Sequence, residues 1–175
     1  MPGERAWRKA IVEHEAAVAE LIEGIERVPP ERWHTPRAEN KWSPAEEALH
    51  VAVSYEFGLA SITQGKTMRL RVSPLRARLS RWLILPILIR TRIFPRGVPA
   101  PREVRPLREE AETLSPQAAA ERLRRAAGEA IQAARAADAS QPPVFVVHAY
   151  FGALRLLTAL RVLTAHTRHH ARNFK

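Results

Sequence analysis

Apolar residues recur at spacings of three and four along most of the chain, and sustained strand-like alternation is absent, so the pattern predicts a helical protein. Trp7, Ile11, His14, Val18, Leu21, Ile25 and Val28 form one stripe on a first helix that Pro29-Pro30 ends. A second helix starts at Ser43-Pro44. Ser43 caps, Pro44 fits the first helical position, and Glu46 completes an S-x-x-E capping box, for a helix from about Pro44 to about Thr63. Ser115-Pro116 repeats that start, and Leu123, Ala127, Ala130, Ala134 and Ala137 mark a third helix whose small side chains let a neighbour come close. Gln141-Pro142-Pro143 separates it from a last helix, about Gly152 to Asn173.

Between Gly65 and Leu114 the pattern is broken by Pro74, Pro86, Pro95, Pro99, Pro101 and Pro106, which reads as a long crossover containing one short helix. One short, one very long and one medium connection predict an all-α four-helix bundle, a single domain over residues 1–175, with a cationic, proline-rich crossover over 66–114. The apolar run Trp82 to Ile89 is far shorter than the roughly 20 residues that span a bilayer. Its expected role is to cover a core edge, with a membrane interface or a homodimer contact as alternatives. The start MPGERAW carries no apolar run behind it, so the expectation is a soluble, cytoplasmic protein without a transmembrane segment.

Charge changes the picture in one place. The net charge is +10, and Lys66 to Arg108 holds twelve basic residues against one acid, Glu103, leaving the rest of the chain near neutrality. Such a segment is a solvated connector or a surface for anions. Aromatic residues do not interleave with its arginines, so nucleic acid is not the expected partner.

The chain has no cysteine, which excludes disulfides, thiolate metal sites and a cysteine nucleophile, and directs attention to its seven histidines. In the last helix Leu156, Leu160 and Leu163 form a stripe, and the same spacing continues onto His166 and His170. An i, i+4 pair puts both imidazoles on one side of a helix, within reach of one ion. His50, mid-helix among Leu49, Val51 and Val53, is the best third ligand. His50, His166 and His170 then make a neutral three-nitrogen site for zinc, nickel or another divalent ion, with positions left open for water or substrate. Glu47, three residues before His50, can orient it or take up a proton, and Tyr55 and Glu56 are candidates to line the pocket, Glu47 and Tyr55 as catalytic groups. His169 is the alternative i, i+3 partner of His166 and otherwise a rim group; His14 is read as packing, His148 as a cap or hydrogen-bonding residue, and His34 as solvated.

Two stretches carry a family likeness. KWSPAEEALHVAVSYE (Lys41 to Glu56) resembles the W-S-x-x-E…H opening of the second helix in the DinB-like superfamily, and HAYFGALRLLTALRVLTAHTRHHARNF (His148 to Phe174) is similar to the H-P-x-F-G…H-x-x-H-H-x-x-Q-F ending of one branch. The resemblance implies an up-down-down-up bundle and a divalent metal held by His50, His166 and His170. It also implies kinship with metal-dependent transferases and isomerases that use low-molecular-weight thiols. Asn173 stands where the family has glutamine, and Arg155-Leu156-Leu157 replace its polar and tryptophan positions after F-G. The expected function is a metal-dependent thiol transferase or hydrolase acting on a small molecule, with the cationic crossover drawing in a thiol that bears carboxylates. The alternative is a non-enzymatic binding protein whose segment 66–108 docks on an anionic membrane or nucleic acid.

Overall fold

The computed structural model of the chain describes residues 3–91, 94 and 98–175. Part of the cationic segment, Pro95 included, lies outside the described residues. The four long helices are α1 (Glu4–Glu26), α2 (Pro44–Gln64), α5 (Pro116–Ala137) and α6 (Leu156–Ala171), with α3 (Pro74–Thr91) and α4 (Arg108–Thr113) in the crossover. The predicted caps of α2 and α5 are present. Ser43 Oγ accepts from the Glu46 amide at 3.2 Å while the Glu46 carboxylate accepts from the Ser43 amide at 2.8 Å, and Ser115 Oγ accepts from the Ala118 amide at 3.1 Å. α2 stops at Gly65, whose φ of +69° is a left-handed conformation open to glycine.

Contacts along the helices fix their directions. Trp7 packs with Leu156, Leu157 and Leu160, His14 meets Thr164, and Gly24 leaves room for Phe174, so α1 and α6 run parallel. Trp7 Nε1 donates to Asp138 at 2.7 Å and Arg135 pairs with Glu4 at 2.7 Å, which sets α5 antiparallel to α1. His50 lies opposite His166 and Glu47 opposite His170, which sets α2 antiparallel to α6. The topology is therefore up-down-down-up. The main core lies between these helices, where Leu21, Ile25, Trp33, Leu49 and Leu123 are fully buried beside the alanine face of α5.

The crossover departs from expectation. Its helix is not short: α3 runs for 18 residues and carries Pro86 inside it. An interior proline deprives the carbonyl four residues earlier of its donor, and here both Pro86 and Trp82 lie on the exposed face, where that carbonyl is open to solvent instead of buried without a partner. Leu85 and Leu88 dock on Phe151, Leu154, Val162 and Ala165, so the run Trp82 to Ile89 does cover a core edge, with one of its faces. At the far end Arg122 of α5 bonds both carboxylate oxygens of Glu56 (2.6 and 2.9 Å) and reaches Glu110 of α4 (2.5 Å), pinning the returning chain to α2.

The last helix also starts later than its pattern suggests. Phe145–His148 (β1) pairs antiparallel with Gly152–Arg155 (β2), so Gly152 belongs to a hairpin and α6 begins at Leu156. Four-residue strands are too short for alternation to show. Among the described residues no helix is long and apolar enough to cross a membrane.

The capping box anchors the turn of α2 that carries Glu47 and His50. Ser43→Ala is expected to destabilise the protein by about 1 kcal/mol, the usual worth of such a cap, measured by urea denaturation; an unchanged midpoint would show that packing alone holds this helix start.

Candidate metal centre

Antiparallel packing of α2 against α6 brings His50 to His166 and His170. His166 Nε2 lies 3.1 Å from His50 Nε2 and 3.1 Å from His170 Nε2. Among the described residues these three form the group of possible metal ligands that the geometry brings together. All are buried or half-buried.

Partners on the far side of two rings decide which nitrogen faces inward. His50 Nδ1–H donates to the Val104 carbonyl at 2.7 Å, and His170 Nδ1–H donates to the Glu47 carboxylate at 2.7 Å. A neutral imidazole carries one proton, so His50 points its Nε2 lone pair at His166, and the Glu47 bond turns Nε2 of His170 the same way. A proton on His166 Nε2 can serve one of these nitrogens and leaves the other without a donor, whereas a cation between them can meet all three. The separations also suit nitrogen ligands about 2.0–2.1 Å from a zinc-like ion.

Burial keeps His50 and His166 neutral. His50 is lowered to about 4, first by desolvation and then by the charge of His170, against the raising effect of the Val104 hydrogen bond. His166 lies well below its ordinary value, again through desolvation followed by His170 and His50. For Glu47 burial alone acts upward, but the His170 hydrogen bond and charge, the Asn173 amide and Arg37 outweigh it and hold the carboxyl below its usual range. Glu47 thus stays a carboxylate while 5% exposed, with Arg37 at 3.6 Å as a second counter-charge.

The residues singled out from sequence fall into different places. Glu47 orients His170 rather than His50, whose far nitrogen is held by Val104 of the crossover. Tyr55 is fully buried, its hydroxyl 2.7 Å from Thr167 Oγ1 and its ring edge-on to His14, and Glu56 is bound to Arg122; neither lines the cavity over the histidines. His14 is a core residue whose Nδ1 meets Thr164 Oγ1 at 3.0 Å. His34 is exposed. His148 Nδ1 accepts from the Tyr150 amide at 3.2 Å, closing the hairpin turn, and its ring also lines the cavity, as does that of His169.

That cavity, about 330 Å³, opens beside the three histidines. The crossover supplies much of its wall through Met68, Ile84, Leu88, Phe94, Val98 and Val104. No arginine or lysine lines it among the described residues, so the cationic crossover covers the site with apolar side chains. Trp42, 4.8 Å from the His50 ring, and Phe94, 5.5 Å from that of His166, complete the enclosure. Neither is marked in the sequence as a wall residue: Trp42 sits in the loop just before α2, outside any periodic stripe, and Phe94 meets His166 only across the fold.

Two outcomes follow. Glu47→Gln keeps the shape but weakens the orienting bond to His170, and is expected to lower divalent-metal affinity by about 10- to 100-fold by competition with a chelating dye; unchanged affinity would show that packing alone orients the ring. Stability is expected to fall with acid. His14, His50 and His148 are each held at about 4, all by burial first, so between pH 6.5 and 4 the unfolded chain binds protons that the folded one refuses. The contribution is neutral above 6.5 and unfavourable as pH drops towards 4. The thermal midpoint should decline over that window, less steeply in His14→Gln.

The sequence model of the DinB superfamily matches residues 10–173. No curated protein and no solved structure matches the chain. The match runs from within α1 to beyond the end of α6 and takes in every histidine of the converging set, and the chain belongs to the DinB superfamily.

Proposed function

We propose that this protein is a metal-dependent enzyme, a transferase or hydrolase that activates a thiol or water at His50, His166 and His170 for attack on a small molecule with an apolar body. The observation that carries this reading is the convergence of three Nε2 atoms, two of them turned inward by the bonds of their rings to Val104 and Glu47, at the base of an apolar cavity. A divalent ion of the kind imidazole suits, zinc or nickel among them, would supply Lewis acidity there and lower the pKa of a water or thiol towards neutrality.

The chain's own groups supply the rest. His50, His166 and His170 as neutral ligands would leave the charge of an ion they hold undiminished, whereas a carboxylate ligand would offset it. Glu47 is held by His170, Asn173 and Arg37 and serves to position a ligand. His169 is half-buried on the cavity wall and lowered by desolvation and then by His170, so it is neutral near pH 7 and suited to accept a proton. His148, with Nδ1 accepting from Tyr150, carries its proton on Nε2 and serves as a donor. The apolar wall favours a hydrophobic electrophile and excludes bulk water. It offers nothing to the carboxylates of a charged thiol, so such a thiol would have to keep its charged end outside the cavity.

The test is elemental analysis of protein purified without a histidine tag, beside His50→Ala/His166→Ala. About one divalent ion per chain in the parent and none in the variant is expected. Ester hydrolysis and thiol conjugation of apolar electrophiles should then depend on the ion, and His169→Gln should lower kcat by about 10²-fold or more with metal content unchanged. Absence of metal in both proteins after incubation with zinc, nickel and manganese would overturn the reading.

A further inference from the structure

Helix α3 is apolar on two opposite faces. Ala77, Leu85 and Leu88 are buried against the bundle. On the other side Leu75, Leu79, Trp82, Leu83 and Ile87, at spacings of three, four and one, form an outward stripe along a helix of about 27 Å. Leu75 is 77% exposed and Trp82 74%. Lone exposed apolar residues are ordinary, but five large ones aligned on one helix form a patch that calls for a partner. Arg76 and Arg78 flank the stripe, Arg90 ends it, all three are exposed, and no acid occurs anywhere in Pro74–Thr91.

We infer that this outward face of α3 docks on an anionic lipid bilayer, lying in the interface with its apolar side chains among the acyl boundary and its arginines on lipid phosphates. Charge decides between occupants. A symmetric contact between two copies of the stripe would set Arg76, Arg78 and Arg90 against their own kind with no acid on the helix to offset them. Nucleic acid would satisfy the arginines but offer nothing to the leucines and Trp82. A bilayer rich in anionic lipid satisfies both, the arrangement of interfacial amphipathic helices, in which long basic side chains reach the headgroups while apolar ones sink below them. The helix is also too short and too charged to cross. Because Ser80, Ile84 and Leu88 of the same helix line the cavity beside the histidines, docking would hold that cavity close to the lipid surface. The inference does not depend on the metal or on any reaction.

The test uses the full chain with vesicles of phosphatidylglycerol and phosphatidylcholine in equal parts, and with phosphatidylcholine alone. Expected are sedimentation with the anionic vesicles only, release by salt, and a loss of partitioning of about tenfold or more in Leu79→Asp/Trp82→Asp, since each buried methylene counts towards binding. Arg76→Glu/Arg78→Glu should lose binding as well. These side chains are exposed, so circular dichroism should show both variants folded. A blue shift of tryptophan emission on adding anionic vesicles should disappear in Trp82→Phe, since Trp7 and Trp33 are buried in the core and Trp42 is half-buried against the His50 ring, away from the stripe. Failure of the parent to sediment, equal binding to neutral vesicles, or undiminished binding by the Asp variant would each overturn the inference. So would a parent that ignores vesicles yet dimerises through the stripe, with Leu79→Asp/Trp82→Asp monomeric.

Discussion

A carboxylate buried between two helices organises this molecule's chemistry. Glu47 sits almost without solvent on α2, and a charge there is tolerable because α6 and its following turn bring His170 and Asn173 to it while Arg37 approaches from the loop before α2. The same contacts that keep it ionised turn the His170 ring so that its other nitrogen faces His50 and His166. Charge burial, the register of α2 against α6 and the inward aim of the histidines are thus one arrangement. A slip of one helical turn, about 5.4 Å, would abolish all three.

The second constraint is topological. α2 and α5 run parallel, so the chain must travel back along the bundle, about 30 Å for a helix the length of α2, before α5 can begin. That return path is the crossover, and its position over the α2–α6 face makes it the roof of the site. It contributes a backbone carbonyl to His50 and an apolar wall to the cavity. The length that connectivity requires also supplies enclosure, which raises the strength of every electrostatic interaction inside.

Two-faced α3 explains why the crossover was hard to read. A helix buried on one side shows a periodic apolar stripe, but one that carries leucines on opposite sides shows no preferred direction, and Pro86 adds a false stop. The hairpin before α6 was obscured for a related reason: four residues per strand contain two alternations, too few to distinguish from the end of a helical pattern.

Local physics wrote much of this protein into its sequence. Capping boxes and N1 prolines act within four residues, so the starts of α2 and α5 were legible, and the bundle helices followed from their periodicity. His166 and His170 shared a face for the same reason, since four residues nearly complete a turn. The partners of those histidines were decided at long range. That Glu47 serves His170, that Val104 holds His50, that Tyr55 turns into the core and that Trp42 and Phe94 close the cavity all depend on how α2, α6 and the crossover pack. Sequence determines which groups share an element; only packing between elements determines which groups meet, because that register is set by the summed fit of many side chains and by no local signal.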